Sequence, residues 1–290
     1  MTKRIAYLGP PGTHSEEAAL RYAPDSELVP YPSLLHVASA VEERAVDEAI
    51  VPVENSIHGS ITDITDFLIG TQRARIRHEL VHRVRNCLLV ESGTKLEDVS
   101  VIFSHPQPLG QCRTYLQSHL PGAELIPSAS TASAILDLKS NSSTGAAIST
   151  NRAAKIYGLC IAAEDIDENP ENATRFLIIA ERDHPRTGVD RTSIAFDFED
   201  NKSGLLVSAL QPFAERNISL TKVESRPTGR RLGRYVFLLD FEGHRTDHNV
   251  KQALAELRRQ ASMVKVLGSY PRSPYPLTHA SEQKDTERKG

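Results

Sequence analysis

Three clusters of polar side chains at the ends of apolar runs could do chemistry in this chain. Asn172-Ala173-Thr174-Arg175-Phe176 leads into the apolar run Leu177, Ile178, Ile179, Ala180. A hydroxyl and a guanidinium at the mouth of a buried strand sit where an open α/β sheet holds a ligand. Glu54-Asn55-Ser56 ends the apolar stretch Ala49 to Val53, and Ser104-His105-Pro106-Gln107-Pro108 ends Val99 to Phe103. An imidazole with an ordinary pKa near about 6.5 makes His105 the most versatile group among them. Taken singly, each cluster reads equally as a polar loop satisfying its own backbone, and it is their recurrence that argues for one site.

The elements that must position these groups alternate. Arg4 to Leu8 is a short strand, and Gly9-Pro10-Pro11-Gly12 then turns the chain before Thr13 and Glu16, which have capping-box spacing. A helix therefore begins there, with backbone N–H groups free for an anion. Ser33 opens a helix with Leu34, Val37, Val41 and Ala45 on one face. Ser60 is placed to cap the helix bearing Ile64, Phe67 and Leu68, and Leu80 to Val90 reads as one crossing strand. A helix is expected from near Leu109. Short strands follow at Glu124 to Ile126 and Ala146 to Ile148, with Ser130 and Thr131 capping the helix between them and Gly158 closing the next. Strand and helix in alternation imply an α/β fold of two lobes facing each other across a cleft, the polar clusters lining it.

A charged stretch with Pro185 and Gly188, residues 182–190, reads as a linker. Beyond it, strands at Thr192 to Phe198, Ser219 to Ser225, Tyr235 to Phe241 and Val264 to Leu267 interleave with helices at Leu205 to Arg216 and after Asp247. The order β-α-β-β-α-β is ferredoxin-like, an α+β arrangement. Residues 272–290 carry many charges and little apolar content, so disorder is expected there.

With 34 basic against 37 acidic residues in 290, the chain has no electrostatic footprint for nucleic acid or a membrane surface. Cys87, Cys112 and Cys160 have no paired spacing, which suits a reducing compartment and yields no metal motif. The N-terminus enters a strand within a few residues and no apolar run approaches a membrane span, so a soluble, cytoplasmic protein is expected.

Considered together and in order, the clusters resemble the prephenate dehydratase family over nearly the whole chain. The residues are Gly9 to Ser15, Pro52 to Ser56, Ser104 to Gln107 with Gln111 and Cys112, Ala129 to Ala132, and Asn172 to Phe176. Leu220 to Pro227 with Phe241 to His244 resembles the ACT regulatory domain of that family. The resemblance implies a catalytic domain over 1–181 with a periplasmic-binding-protein-like pair of lobes, roughly 1–78 with 165–181 and 79–164. An ACT domain over 191–271 follows. It implies a lyase of phenylalanine biosynthesis that converts prephenate to phenylpyruvate with loss of carbon dioxide and water. No cofactor and no metal are expected; phenylalanine is expected as feedback effector and a homodimer or homotetramer as the assembly.

By the same resemblance Thr174, Arg175 and His105 are catalytic, with Arg175 as carboxylate clamp. Thr13, Ser15, Asn55, Ser56, Gln107, Thr131 and Phe176 bind substrate, and Gly204, Leu205, Glu224, Ser225, Arg226 and Pro227 bind the effector. An aliphatic hydroxyl is far too weak an acid to match the operating pH. Thr174 is then either an oriented donor while aromatisation drives departure, or it works with a relay through His105 or Glu54. His14 stands where the family often has an aromatic residue, Pro108 where alanine is usual, and Leu205 replaces a common alanine. Arogenate dehydratase, on the amino-acid analogue of the same substrate, is the alternative within enzymes, and a non-catalytic amino-acid-binding protein the alternative outside them.

Overall fold

A continuous apolar run can be a strand only if both of its faces are covered, and the sequence supplies many such runs. The computed structural model describes residues 2–141, 144–199, 202–227 and 234–273. In order, the elements through the first 180 residues begin with β1 (Arg4–Leu8), α1 (His14–Tyr22), β2 (Glu27–Tyr31), α2 (Leu34–Glu42), β3 (Glu48–Asn55), β4 (Gly59–Ser60) and α3 (Thr62–Gly70). They continue with β5 (Arg75–Arg83), β6 (Cys87–Val90), β7 (Val101–Ser104), α4 (Pro106–Gln111), α5 (Arg113–His119), β8 (Glu124–Pro127) and α6 (Ser133–Ser140). Then come β9 (Gly145–Ser149), α7 (Asn151–Tyr157), β10 (Cys160–Ala163) and β11 (Ala173–Ala180). One sheet has the order β2-β1-β3-β11-β5 with β4 paired to β3, and another the order β10-β6-β9-β7-β8.

The second sheet shows why its strands are apolar throughout. Cys87, Leu89, Val101, Phe103 and Ala147 pack with α6 and α7 on one face, while Leu88, Val90, Ile102, Ala146 and Ile148 pack with Cys112 and Leu116 on the other. Residues one apart feed different cores, as a period of two requires. The three cysteines are free, and burial pushes the Cys87 thiol up to about 11, so it offers no nucleophile at neutral pH.

The chain divides into two compact units. The first comprises Met1–Ala40, Ala49–Ile61 and His82–Phe176; the second comprises Val41–Glu48, Thr62–Val81 and Leu177–Gly290. In the second, β12 (Asp190–Asp197), α8 (Leu205–Ala214), β13 (Leu220–Pro227), β14 (Tyr235–Glu242), α9 (His248–Gln260) and β15 (Met263–Pro271) follow the expected ferredoxin-like order. Its sheet runs β13-β14-β12-β15, and Ile194, Phe196, Phe213, Phe241 and Leu257 lie in the core between that sheet and its helices. Gly268 is required by close approach, because a Cβ there would meet the Ile76 carbonyl oxygen at 2.1 Å.

Several local expectations need correction. Leu80 to Val90 is not one strand: β5 ends at Arg83 and β6 begins at Cys87, in different sheets. Ser60 is not a cap but pairs with Glu54 in β4, and α3 starts at Thr62. α2 stops at Glu42, which leaves Ala45 outside it. The α4 helix begins at Pro106 with His105 as its N-cap, three residues earlier than Leu109. Asp247 precedes α9 without a side-chain bond to it, since its carboxylate accepts instead from the His244 N–H and from Arg186. Thr13 and Gly158 cap α1 and α7 as expected, Gly158 at φ 68°. The disordered tail expected over 272–290 lies outside the described residues from 274 onward.

Candidate active site

Three strand ends and two helix starts of the first unit converge on a cavity of about 320 Å³, a volume suited to a small organic acid. Thr13 and Ser15 from the start of α1, Asn55 from the end of β3, and His105 and Gln107 from the start of α4 line it. Thr131 from the loop before α6, and Thr174 and Phe176 from β11, complete the expected residues that it gathers.

Asn55 is the residue that orients Thr174. Its Oδ1 accepts from the backbone N–H groups of Ile57 and His58, at 3.0 and 3.1 Å. Two donors on one atom fix which end of the amide is oxygen, so the NH₂ must face the other way. Nδ2 accordingly donates to Asn172 Oδ1 at 3.0 Å, to the Ala173 carbonyl at 3.3 Å and to Thr174 Oγ1 at 3.1 Å. With Oγ1 accepting from Asn55, the Thr174 proton has no acceptor among the described residues and is left to donate to a ligand. The site is dry enough for this to matter: Asn55 is 7% exposed and Thr174 8%.

His105 is set as a donor as well. Its Nδ1 accepts the Gln107 N–H at 3.3 Å, which leaves the proton on Nε2. Gln111, another lining residue, faces His58 at 3.0 Å.

Two expected residues fall elsewhere. Arg175 lies between Thr174 and Phe176 on β11 and therefore points to the other face; it does not line the cavity, and its Nη1 is 3.8 Å from Glu54 Oε2. Ser56 is used by the backbone, where its Oγ accepts the Ala173 N–H at 3.0 Å. The anion-ready N–H groups expected at α1 are partly taken, because Glu16 Oε2 accepts from Gly12 N at 2.6 Å and Glu16 N donates to Thr13 Oγ1. The cap at α6 comes from Ser130, whose Oγ accepts the Ser133 N–H at 2.9 Å.

Asn86, Glu17 and His82 are not among the residues expected from the sequence. Asn86 lines the cavity from the break between β5 and β6, tied to Asp167 through its N–H and its Nδ2. Behind His14, Glu17 lies between that imidazole and His82. Burial pushes the Glu17 carboxyl up, but the two imidazoles outweigh it and hold it well below the usual carboxylate range; burial holds His82 below the usual imidazole value. His14-x-x-Glu17 at one-turn spacing was the available signal, with His82 supplied from distant sequence.

None of the described residues lining this cavity is Lys, Arg, Asp or Glu. It offers hydroxyls, amides and imidazoles against Leu8, Pro52, Ile61, Val84 and Phe176. A ligand here is oriented by neutral donors in an apolar box.

The prephenate dehydratase family model matches residues 5–184, more than half of the chain, and the ACT domain model matches residues 193–259. The prephenate dehydratase of Mycolicibacterium vanbaalenii is 40% identical over 285 residues, covering 92% of this chain and 90% of its own. Arogenate dehydratase/prephenate dehydratase 1 of Arabidopsis thaliana, a chloroplastic protein, is 40% identical over 285 residues, covering 92% of this chain and 72% of its own. Among solved structures, the prephenate dehydratase of Arthrobacter aurescens in complex with L-Phe superposes with a TM-score of 0.86 at 33% identity, covering 99% of this chain and 100% of that one.

Proposed function

This chain belongs to the prephenate dehydratase family, and on that premise we propose that it converts prephenate to phenylpyruvate with Thr174 as the oriented donor to the departing hydroxyl. One proton enters and carbon dioxide and water leave. The electron pair of the breaking carboxyl bond becomes a ring double bond, and the ring carbon–oxygen bond breaks with its pair on oxygen. Hydroxide is the poor leaving group in this scheme, so a donor aimed at that oxygen stabilises the charge as it develops. The observation that carries the reading is the Asn55 contact, which occupies Thr174 Oγ1 as an acceptor and leaves its proton for the substrate.

An apolar box without guanidinium or ammonium also suits the second bond change. A ring carboxylate held there has no cation to stabilise it in the ground state, and it loses that charge as it decarboxylates. Arg175, outside the cavity, has no part in this scheme.

Prephenate is favoured over arogenate by the same lining. Arogenate carries an ammonium where prephenate has a keto group, and none of the described lining residues is a carboxylate to pair with it. kcat/KM for prephenate should exceed that for arogenate by at least about 10-fold, the scale of an unpaired buried charge. Steady-state turnover of both compounds checks this, and equal values would remove the substrate assignment.

Phenylalanine regulates through the ACT domain in this reading. Gly204 stands at φ 87° before α8, with half-buried Leu205 beside it. On β13, Glu224 pairs with Lys222 at 3.1 Å, and Arg226 donates to the Thr62 carbonyl and to Asp66 at the start of α3. In sequence, α3 follows directly on Ile61, a cavity residue. Leu205 adds bulk where an alanine is common, and overfilling a fitted pocket costs about 1–3 kcal/mol. Leu205→Ala should tighten phenylalanine binding by about 5- to 150-fold in calorimetry, with uninhibited turnover unchanged. Weaker binding in that variant would place the sensitivity elsewhere in the domain.

Assembly as a homodimer or homotetramer fits the exposed apolar side chains Val207, Val223 and Tyr235 on this unit. Light scattering at micromolar concentration tests it. No helix among the described residues is long and apolar enough to cross a membrane.

A further inference from the structure

We infer that His14, Glu17 and His82 form a binding site for one divalent transition-metal ion of the zinc class, at the wall of the active-site cavity. The three side chains offer one ligand atom each, and these atoms lie within 4.8 Å of one another. His14 Nδ1 is 3.2 Å from Glu17 Oε2, and His82 Nε2 is 3.4 Å from the same oxygen. Zinc bonds of about 2.0–2.2 Å at tetrahedral angles set neighbouring ligand atoms about 3.3–3.6 Å apart, so the His82 separation has the length of a coordination edge and the His14 separation falls just short of one.

Hydrogen bonding satisfies only part of this cluster, through His14 Nδ1 and the Glu17 carboxylate. Nε2 of His82 is buried and makes no hydrogen bond despite its nearness to the carboxylate. A buried nitrogen left in that state costs free energy, and a cation on the His82 Nε2 lone pair removes the cost. The carboxylate is also steadied from behind: Glu17 Oε1 accepts the Arg152 backbone N–H at 3.3 Å. A ligand held by an outer hydrogen bond is the usual support of a metal site. Two imidazoles and one carboxylate leave a fourth position open, and His14 itself lines the cavity. Where prephenate is the substrate, as proposed above, that open position can take the carboxylate of its pyruvyl side chain, which is not lost, in a cavity lined by neither Lys nor Arg.

The test of binding stands apart from the substrate. Chelator-stripped full-length protein is titrated with zinc chloride in a calorimeter at neutral pH. One equivalent should bind with a Kd of micromolar order or tighter, and cobalt(II) in its place should show the visible absorption of a four-coordinate ion. His82→Leu and Glu17→Gln should each weaken zinc binding by at least about 10- to 100-fold, the range for disturbing even the outer shell of such sites. Absence of uptake by the wild type, or uptake with unchanged Kd in both variants, overturns the site. Should either variant fail to fold, X-ray absorption of zinc-loaded wild type decides. Two imidazole nitrogens and a carboxylate oxygen are expected; a shell containing sulfur or only oxygen overturns the assignment.

Discussion

Thr174→Ala should lower kcat at least about 100-fold while leaving a folded protein, the scale seen when one preorganised donor to a developing oxyanion is removed. The expectation follows from how the hydroxyl is held. Its oxygen is taken by Asn55, its proton is not, and both residues are nearly excluded from water. Little stability should go with it. Asn55 Nδ2 keeps Asn172 Oδ1 and the Ala173 carbonyl when the threonine hydroxyl is gone, so no buried donor is orphaned. A cost of about 1 kcal/mol or less is expected in a thermal melt. Thr174→Ser keeps the hydroxyl and should keep most of the turnover. Single-turnover kinetics on purified variants separate the chemical step from product release, and an alanine variant with most of its wild-type kcat would leave Thr174 without its role.

How far this site could be read beforehand differs residue by residue. The motifs are contiguous, and a stretch such as Asn172 to Phe176 announces itself because five residues in a row are of the right types. Period two along a strand was equally available and excludes Arg175 from a cavity that holds Thr174 and Phe176. Long-range pairing was not available. That Asn55 Nδ2 reaches Thr174, 119 positions later, depends on β3 and β11 being neighbours in a sheet, and no local pattern encodes that. The same holds for His82, which meets His14 and Glu17 only because the chain folds back. Errors at element ends have a simpler cause. Arg83-Val84-Arg85-Asn86 carries no Gly or Pro, so the break between β5 and β6 has no punctuation, and alternation across it looks like one strand. Glu16 has the correct spacing to reach back, but its carboxylate finds Gly12 rather than Thr13, since the glycine at φ 90° turns its N–H inward.

Asn55→Asp should remove activity by turning one proton around. The replacement has nearly the same shape, and its Oδ1 can still accept from Ile57 and His58, so the loop after β3 keeps both of these ties. What it lacks is the N–H pair. Thr174 Oγ1 then faces an acceptor instead of a donor at 3.1 Å, and its only proton is drawn toward the introduced carboxylate and away from the substrate. kcat should fall at least about 100-fold, close to the loss in Thr174→Ala, because the same donor is withdrawn from the same oxygen. The stability cost should be moderate, about 1–3 kcal/mol, for a carboxylate set against Asn172 Oδ1 and the Ala173 carbonyl. Part of it can be relieved, since Asn172 Nδ2 is buried and unpartnered and a turn of that amide presents it to the carboxylate. A double-mutant cycle distinguishes orientation from a general disturbance of the cavity. If Asn55 acts through Thr174, adding Asn55→Asp to Thr174→Ala should change kcat little further. Losses that multiply in the double variant would show that Asn55 and Thr174 act on the reaction independently.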